Sequence, residues 1–184
     1  VRNVDKLADE GAVMLFGGAS SAVAIAAGKR ARERGLLYFG TLTYSNDTTG
    51  KDGQRYMFRE CNSAWMSARA LGQELSKNLP GKRYFYVTAD YTWGTTSESS
   101  LRETTGTQDA SQHPGLKVPF PGARVSDYRA ALKQAADSQA EVLVLVLFGE
   151  DLVRAMGIAD QLGLNKRMQI VAPNLTQSVV EQAG

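Results

Sequence analysis

Val13-Met14-Leu15-Phe16-Gly17-Gly18-Ala19-Ser20-Ser21 joins an apolar run to two glycines and two serines, and an alanine-rich helical pattern follows. The stretch describes a buried strand that stops, a backbone that turns tightly at glycine, and a helix that opens with hydroxyl side chains at its N-terminus. Such a helix end presents unpaired backbone N–H groups and a partial positive charge. It is a seat for a carboxylate, a phosphate or a polar ligand group. No lysine follows the glycines, so the turn is not the phosphate-binding loop of a P-loop protein.

Working outward, β-rich runs alternate with helical ones. Residues 2–10 read as the end of a helix and 12–17 as a buried strand. Residues 20–34 read as a helix that turns Ala22, Ile25, Ala26 and Ala31 inward, and 36–39 as the next strand. The stretch 46–54 (NDTTGKDGQ) is a polar, glycine-punctuated loop, and 56–59 a short strand. Residues 63–79 have the spacing of an amphipathic helix, with Trp65, Ala68, Leu71, Gly72, Leu75 and Leu79 at steps of three and four, ended by Pro80-Gly81. Residues 83–88 form a strand, 94–105 a helix, 106–115 a turn-rich stretch and 116–118 a short strand. A helix over 127–137 carries Tyr128, Leu132 and Ala136. The run 141–148 (EVLVLVLF) is the most apolar of all, which predicts a central strand covered on both faces. A helix over 150–163, a strand over 168–171 and a helical piece after Pro173 complete the chain. Strands separated by helices of this length mean βαβ units and parallel sheet, with ligands beyond the carboxyl ends of the strands.

Composition narrows the function. The 184 residues are enough for one domain or two small lobes. Apolar residues make up 43% and charged residues 22%, values of a soluble globular protein. No apolar run approaches the ~20 residues that span a bilayer, which predicts no direct membrane insertion. A net charge of +2 argues against a nucleic-acid partner. Lys29, Arg30, Arg32 and Arg34, with Glu33 among them, read as the solvated face of a helix rather than a seat for an anionic partner. One cysteine, Cys61, and one histidine, His113, exclude a disulfide framework within the chain and a Cys/His zinc site. No G-x-G-x-x-G follows a strand, so no dinucleotide is indicated, and neither a metal nor a cofactor is expected. Asp90, Glu150 and Asp151 lie near strand ends, where acidic residues commonly open helices. Gly18-Ala19-Ser20-Ser21-Ala22 is similar to the G-x-S-x-G elbow of a serine hydrolase, with alanine for the last glycine. The general base would have to be His113, in a His-Pro-Gly loop segment. An α/β hydrolase using Ser20 is thus one alternative. Valine at position 1 and the lack of a signal peptide predict a chain processed, trimmed or cut from something longer.

Several segments together resemble one family. Residues 11–40 (GAVMLFGGASSAVAIAAGKRARERGLLYFG) resemble the strand–turn–helix–strand core of branched-chain amino acid type solute-binding proteins, the extracellular ligand-binding receptor family with the type I periplasmic binding fold. Residues 55–61 (RYMFREC) resemble that family's short strand before its long helix. Residues 84–104 (YFYVTADYTWGTTSESSLRET) resemble its second-lobe strand, Asp-Tyr-x-x-Gly turn and helix. Residues 121–164 (PGARVSDYRAALKQAADSQAEVLVLVLFGEDLVRAMGIADQLGL) resemble its following helix, strand and helix. The order and spacing of the four segments make the set specific.

The resemblance implies an α/β protein of the type I periplasmic-binding-protein fold, with parallel sheets, helices on both faces, and two lobes of which lobe one is incomplete. Residues 1–62 would be part of lobe one, 63–172 lobe two, and 173–184 the start of a return toward lobe one. Family members extend beyond both ends of this chain. The implied function is that of a periplasmic or extracellular solute-binding protein of an ABC-type importer. It would be no enzyme, and its partners would be a small solute and a membrane permease. The ligand-sensing domain of a signalling receptor is a further alternative. By the same resemblance, Ala19, Ser20 and Ser21 would hold a ligand carboxylate, and Leu42, Thr43 and Tyr44 would add hydrogen bonds from lobe one. Trp93 would close over the ligand from lobe two, with Phe148 a second aromatic position. Asn174 stands where amino-acid binders carry an acid. Ala64, in Asn62-Ser63-Ala64-Trp65, stands where they carry an aspartate. A buried α-ammonium ion needs an anionic partner, and both partners are replaced. The expected ligand is therefore a carboxylate or amide-like solute without a free α-amino group, captured as two lobes close about a hinge.

Overall fold

The structure is a computed structural model that describes residues 1–183. It contains two parallel sheets. In the first, β1 (Met14–Gly17), β2 (Leu37–Gly40) and β3 (Met57–Arg59) lie side by side in that order. Helices α1 (Arg2–Asp9) and α2 (Ser21–Glu33) pack on one face. Leu15, Tyr38 and Met57 pair across the three strands. They are buried with Val4 of α1 and Ala24, Ala27 and Ala31 of α2. The inward face of α2 is thus Ala24, Ala27, Gly28 and Ala31, whereas Ala22 and Ala26 point to solvent and Ile25 is half-buried. Small residues on every side of this helix leave its apolar periodicity without a direction, which is why the expected face was rotated.

The other face of this sheet is different. Phe16, Phe39 and Phe58 sit in register and stack, with ring centres 5.2 and 5.1 Å apart. Phe16 is 65% exposed and Phe58 45%. Among the described residues no helix covers them.

Lys29 and Arg30 of α2, and Arg34 just after it, are engaged in ion pairs, and Arg32 donates to Gln54 Oε1. Arg30 and Arg34 hold Asp5 of α1 at 2.6 and 3.1 Å, and Lys29 pairs with Asp52 at 3.0 Å. The Arg30 hydrogen bond, helped by Arg34, holds the Asp5 carboxyl below its ordinary pKa.

The second sheet runs β5 (Gly115–Pro119), β4 (Tyr84–Asp90), β6 (Val142–Val146) and β7 (Gln169–Val171), all parallel. Tyr84, Tyr86, Val142, Val144 and Val146 face α3 (Ala64–Asn78) and α4 (Thr92–Thr105). Phe85, Val87, Leu143 and Leu145 face α5 (Val125–Asp137) and α6 (Glu150–Gln161). Every residue of β6 is buried, as expected of a strand covered on both sides. Trp65 departs from expectation. It lies outside the core, 47% exposed, with the Arg69 guanidinium 5.1 Å from its ring centre. After β7, residues 172–176 cross toward Tyr44. Helix α7 (Gln177–Ala183) then packs on α6 and buries Val179 in the core of the second sheet.

Candidate functional site

The carboxyl ends of β1, β2, β4 and β6 carry the segments that matter. At the end of β1, Gly17 and Gly18 have φ of +133° and +96°. The Tyr38 hydroxyl donates to the Gly17 carbonyl at 2.8 Å, and a Cβ on Gly18 would lie 2.6 Å from that hydroxyl. Only glycine satisfies both backbone and space here. The chain then enters α2 with Ser20 at the N-cap in extended conformation, its hydroxyl making no capping bond. Ser20 is half-buried and Ala19 exposed. Ser21 is buried, and its Oγ accepts the Ser45 N–H at 3.0 Å.

Beyond β2, Leu42 is exposed and Thr43 wholly buried. The Thr43 N–H points at Cys61 Sγ, 3.3 Å away, and its buried Oγ1 has no hydrogen-bond partner among the described residues. Tyr44 is half-buried. Burial, and secondarily the Cys61 thiol, raise its hydroxyl above the ordinary pKa. Its carbonyl accepts the Ala64 N–H at 2.6 Å and so ties the end of β2 to the start of α3.

Beyond β4, the chain turns tightly into α4. A Cβ on Gly94 would run into the Ala89 carbonyl. The Trp93 side chain in this turn is directed into the protein. The indole is 3% exposed, so Trp93 is a core residue rather than an open wall of the cleft. It belongs to a chain of rings. Tyr91 stacks on Phe120 at 4.1 Å and meets Trp93 at 5.9 Å, and Trp93 meets Phe148 edge-on at 6.4 Å. Burial, with a contribution from Asp151, pushes the Tyr91 hydroxyl up to about 12.

A cavity of about 490 Å³ lies beyond the ends of β2, β3, β6 and β7. Tyr44 lines it from the first sheet's side, Asn62, Met66, Ser67 and Leu71 from the crossing and α3, and Phe148 and Asn174 from the second sheet's strand ends. No lysine, arginine, histidine, aspartate or glutamate is among its lining residues. The structure therefore brings Tyr44, Phe148 and Asn174 together, with Trp93 packed against Phe148. Ala19, Ser20 and Leu42 do not line this cavity. Ser21 and Thr43 serve inside the packing below it. Asn62, Met66, Ser67 and Leu71 were not foreseen, and their only sequence signal is their place at the start of the long helix.

The hydrolase alternative has no geometry to support it. His113 Nδ1 accepts the Tyr84 N–H at 3.1 Å, at the opposite end of β4 from the strand tips. It is paired there rather than with Ser20. Among the described residues no group of three His, Cys, Asp or Glu side chains is arranged to hold a metal, and no helix is long and apolar enough to cross a membrane.

A family model described as periplasmic binding protein matches residues 1–184. The chain resembles a periplasmic binding protein from Burkholderia mallei at 25% identity and a TM-score of 0.85, covering 98% of this chain and 48% of that one. It resembles an amino acid ABC transporter substrate-binding protein from Pseudomonas fluorescens at 24% identity and 0.79, covering 100% and 49%. A solute-binding protein from R. palustris in complex with benzoate aligns at 22% identity and 0.79, covering 100% and 51%. The chain thus spans about half the length of these structures. No curated protein matches it in sequence.

Proposed function

This chain belongs to the periplasmic binding protein family, and from that premise we propose that it captures a small solute between its two lobes for an ABC-type importer. The family and the similar structures are solute-binding proteins, not enzymes. Membership also carries the periplasmic or extracellular location expected from the sequence.

The solute is a small carboxylate or amide-like compound without a free α-amino group. One observation carries this reading: the cavity beside Tyr44, Phe148 and Asn174 is lined without a charged side chain. An α-ammonium ion enclosed there would have no anionic partner, and an unpaired buried charge is strongly unfavourable. Aromatic and amide side chains suit a planar body with a polar edge instead. Support comes from the benzoate-bound relative, which shares the fold. Within this cavity the carboxylate or amide end would be received by Asn62, Ser67 and Asn174, which are among the polar side chains that line it. Trp93 would act through Phe148. Closure about the crossing would present the loaded form to a membrane permease, the proposed partner.

Titration calorimetry of the full-length protein decides the ligand class. Benzoate or 4-hydroxybenzoate is expected to bind, and leucine to give no heat. Micromolar binding of leucine would overturn the reading.

A further inference from the structure

The turn Ser45-Asn46-Asp47 belongs to the first lobe by sequence and to the second by contact. Besides local bonds to residues 48–52, among them the Lys51–Asp47 ion pair at 3.1 Å, two longer-range bonds hold it to its own lobe. The Ser45 N–H donates to Ser21 Oγ at 3.0 Å, and Arg59 Nη1 donates to the Ser45 carbonyl at 3.0 Å. Other bonds cross. Ser45 Oγ lies 2.7 Å from Thr92 Oγ1, and the Thr92 hydroxyl donates to Asp47 Oδ2 at 2.7 Å. The Asn46 N–H donates to Thr96 Oγ1 at 3.3 Å, and Asn46 Nδ2 donates to Ser100 Oγ at 3.0 Å. Asn46 Oδ1 accepts the Trp65 N–H at 2.9 Å.

The first N–H groups of an α-helix have no partner within the helix. In α3 they are taken up from two sides. Ser63 Oγ accepts the Met66 N–H at 3.2 Å, as a local cap does. The Ala64 and Trp65 N–H groups go instead to Tyr44 O and Asn46 Oδ1, both from the first lobe. A helix of one lobe is thus capped by a turn of the other. The same turn puts the Asp47 carboxylate at the first residue of α4, where a helix favours negative charge. Tyr44, which lines the cavity, is the immediate neighbour of this cap.

From this arrangement we infer that Asn46 is a positioning residue for ligand capture, and that the Ser45–Asp47 turn is the pivot about which the lobes move. The inference rests on the two-lobe capture reading above. Asn46 touches no ligand. It acts through Tyr44, by fixing the end of β2 to the N-terminus of α3 while the outer parts of the lobes swing. Its amide is suited to this because it donates to α4 and accepts from α3 at once. Loss of the bond to Trp65 frees that first-turn amide of α3, and loss of either bond lets Tyr44 shift against Phe148.

The test compares full-length wild type with Asn46→Ala, Asn46→Asp and Ser100→Ala. Hydrogen exchange at the Trp65 amide and small-angle scattering without ligand read the pivot. Benzoate titration reads capture. In Asn46→Ala, Trp65 exchange is expected to rise at least about tenfold, and the ligand-free radius of gyration to increase. Benzoate affinity is expected to fall roughly tenfold, as for the loss of two neutral hydrogen bonds, with the melting temperature within about 2 °C of wild type. Asn46→Asp keeps an acceptor for Trp65 and loses the donor to Ser100. It is expected to retain Trp65 protection with part of the affinity loss. Ser100→Ala, which leaves the first lobe untouched, is expected to behave likewise and covers the case in which an Asn46 variant does not fold. Wild-type exchange and scattering in Asn46→Ala would overturn the pivot. So would a melting temperature that drops in step with affinity in all three variants, the mark of a merely structural role. If wild type takes up no benzoate, the ligand reading fails, while exchange and scattering still decide the pivot.

Discussion

The two sheets follow one construction rule and meet it to different degrees. The four-stranded sheet has helices on both faces, with α3 and α4 on one side and α5 and α6 on the other. The three-stranded sheet has α1 and α2 on one face and a row of stacked phenylalanines open on the other. Parallel sheets are stable when both faces are buried. Among the described residues the four-stranded sheet meets that condition, and the three-stranded sheet meets half of it. The lesson is that the same βαβ pattern does not by itself cover both faces of each sheet. What matters is whether both faces of the strands find cover.

The strongest way to break this contrast is to cut equivalent side chains from the two cores. Leu145 is fully buried in β6, and Leu145→Ala is expected to cost about 4 kcal/mol, within the range for a leucine cavity in a packed core. Leu15→Ala, in a core with one covered face, is expected to cost about half as much because the site can relax. Urea unfolding of both variants checks this, and equal losses would erase the difference between the lobes.

The open face sharpens the contrast. Phe16→Ser and Phe58→Ser remove rings that are already 65% and 45% exposed, so each is expected to cost under about 1 kcal/mol. Both variants of the 184-residue polypeptide are expected to bind less of a hydrophobic dye and to self-associate less, since large exposed apolar patches drive association. A loss as large as that of Leu145→Ala would mean that the face is packed after all.

The smallest effect concerns the far end of the second sheet. His113 has its pKa lowered, first by burial and then by the nearby Arg102 charge, and its Nδ1 accepts a hydrogen bond from Tyr84 N–H. The folded form therefore prefers the neutral ring. Its contribution is fully present above the unfolded value near 6.5 and is lost as pH falls below that value toward the lowered folded one. Thermal melts at pH 7.5 and 5 should show a decrease in acid on the order of 1 °C that disappears in His113→Gln. No change between wild type and variant would remove His113 from the accounting of the second lobe.

Much of the fold is written plainly in the chain. The alternation of runs such as 141–148 with amphipathic stretches such as 127–137 is a direct record of buried strand and half-buried helix. Where apolar side chains are small, that record blurs. In α2 the alanines give no preferred face, so Ala24 and Ala27 could not be told from Ala22 and Ala26. Trp65 has helical spacing with Ala68, yet it lies where α3 begins and the core has not closed around it. Tyr44, Phe148 and Asn174 were expected through the family resemblance, and the three line one cavity shortly beyond strand ends. Trp93 also follows a strand end, but it is buried with Tyr84, Tyr86 and Val146 in the core, a direction that no spacing rule reveals. The lining from Asn62 to Leu71 carries no chemistry of its own and becomes visible only when the sheets are set side by side.

The strand order of the second sheet has a consequence for synthesis. β4 emerges from the ribosome before both of its neighbours, and β5 arrives on one side of it first. The opposite margin of β4, buried over nearly its whole length in the finished protein, must wait for β6. At translation rates of ~5–20 residues per second that wait lasts seconds, long against the microseconds in which chains collapse. The nascent polypeptide therefore passes through an interval in which the β4 ribbon is half-dressed.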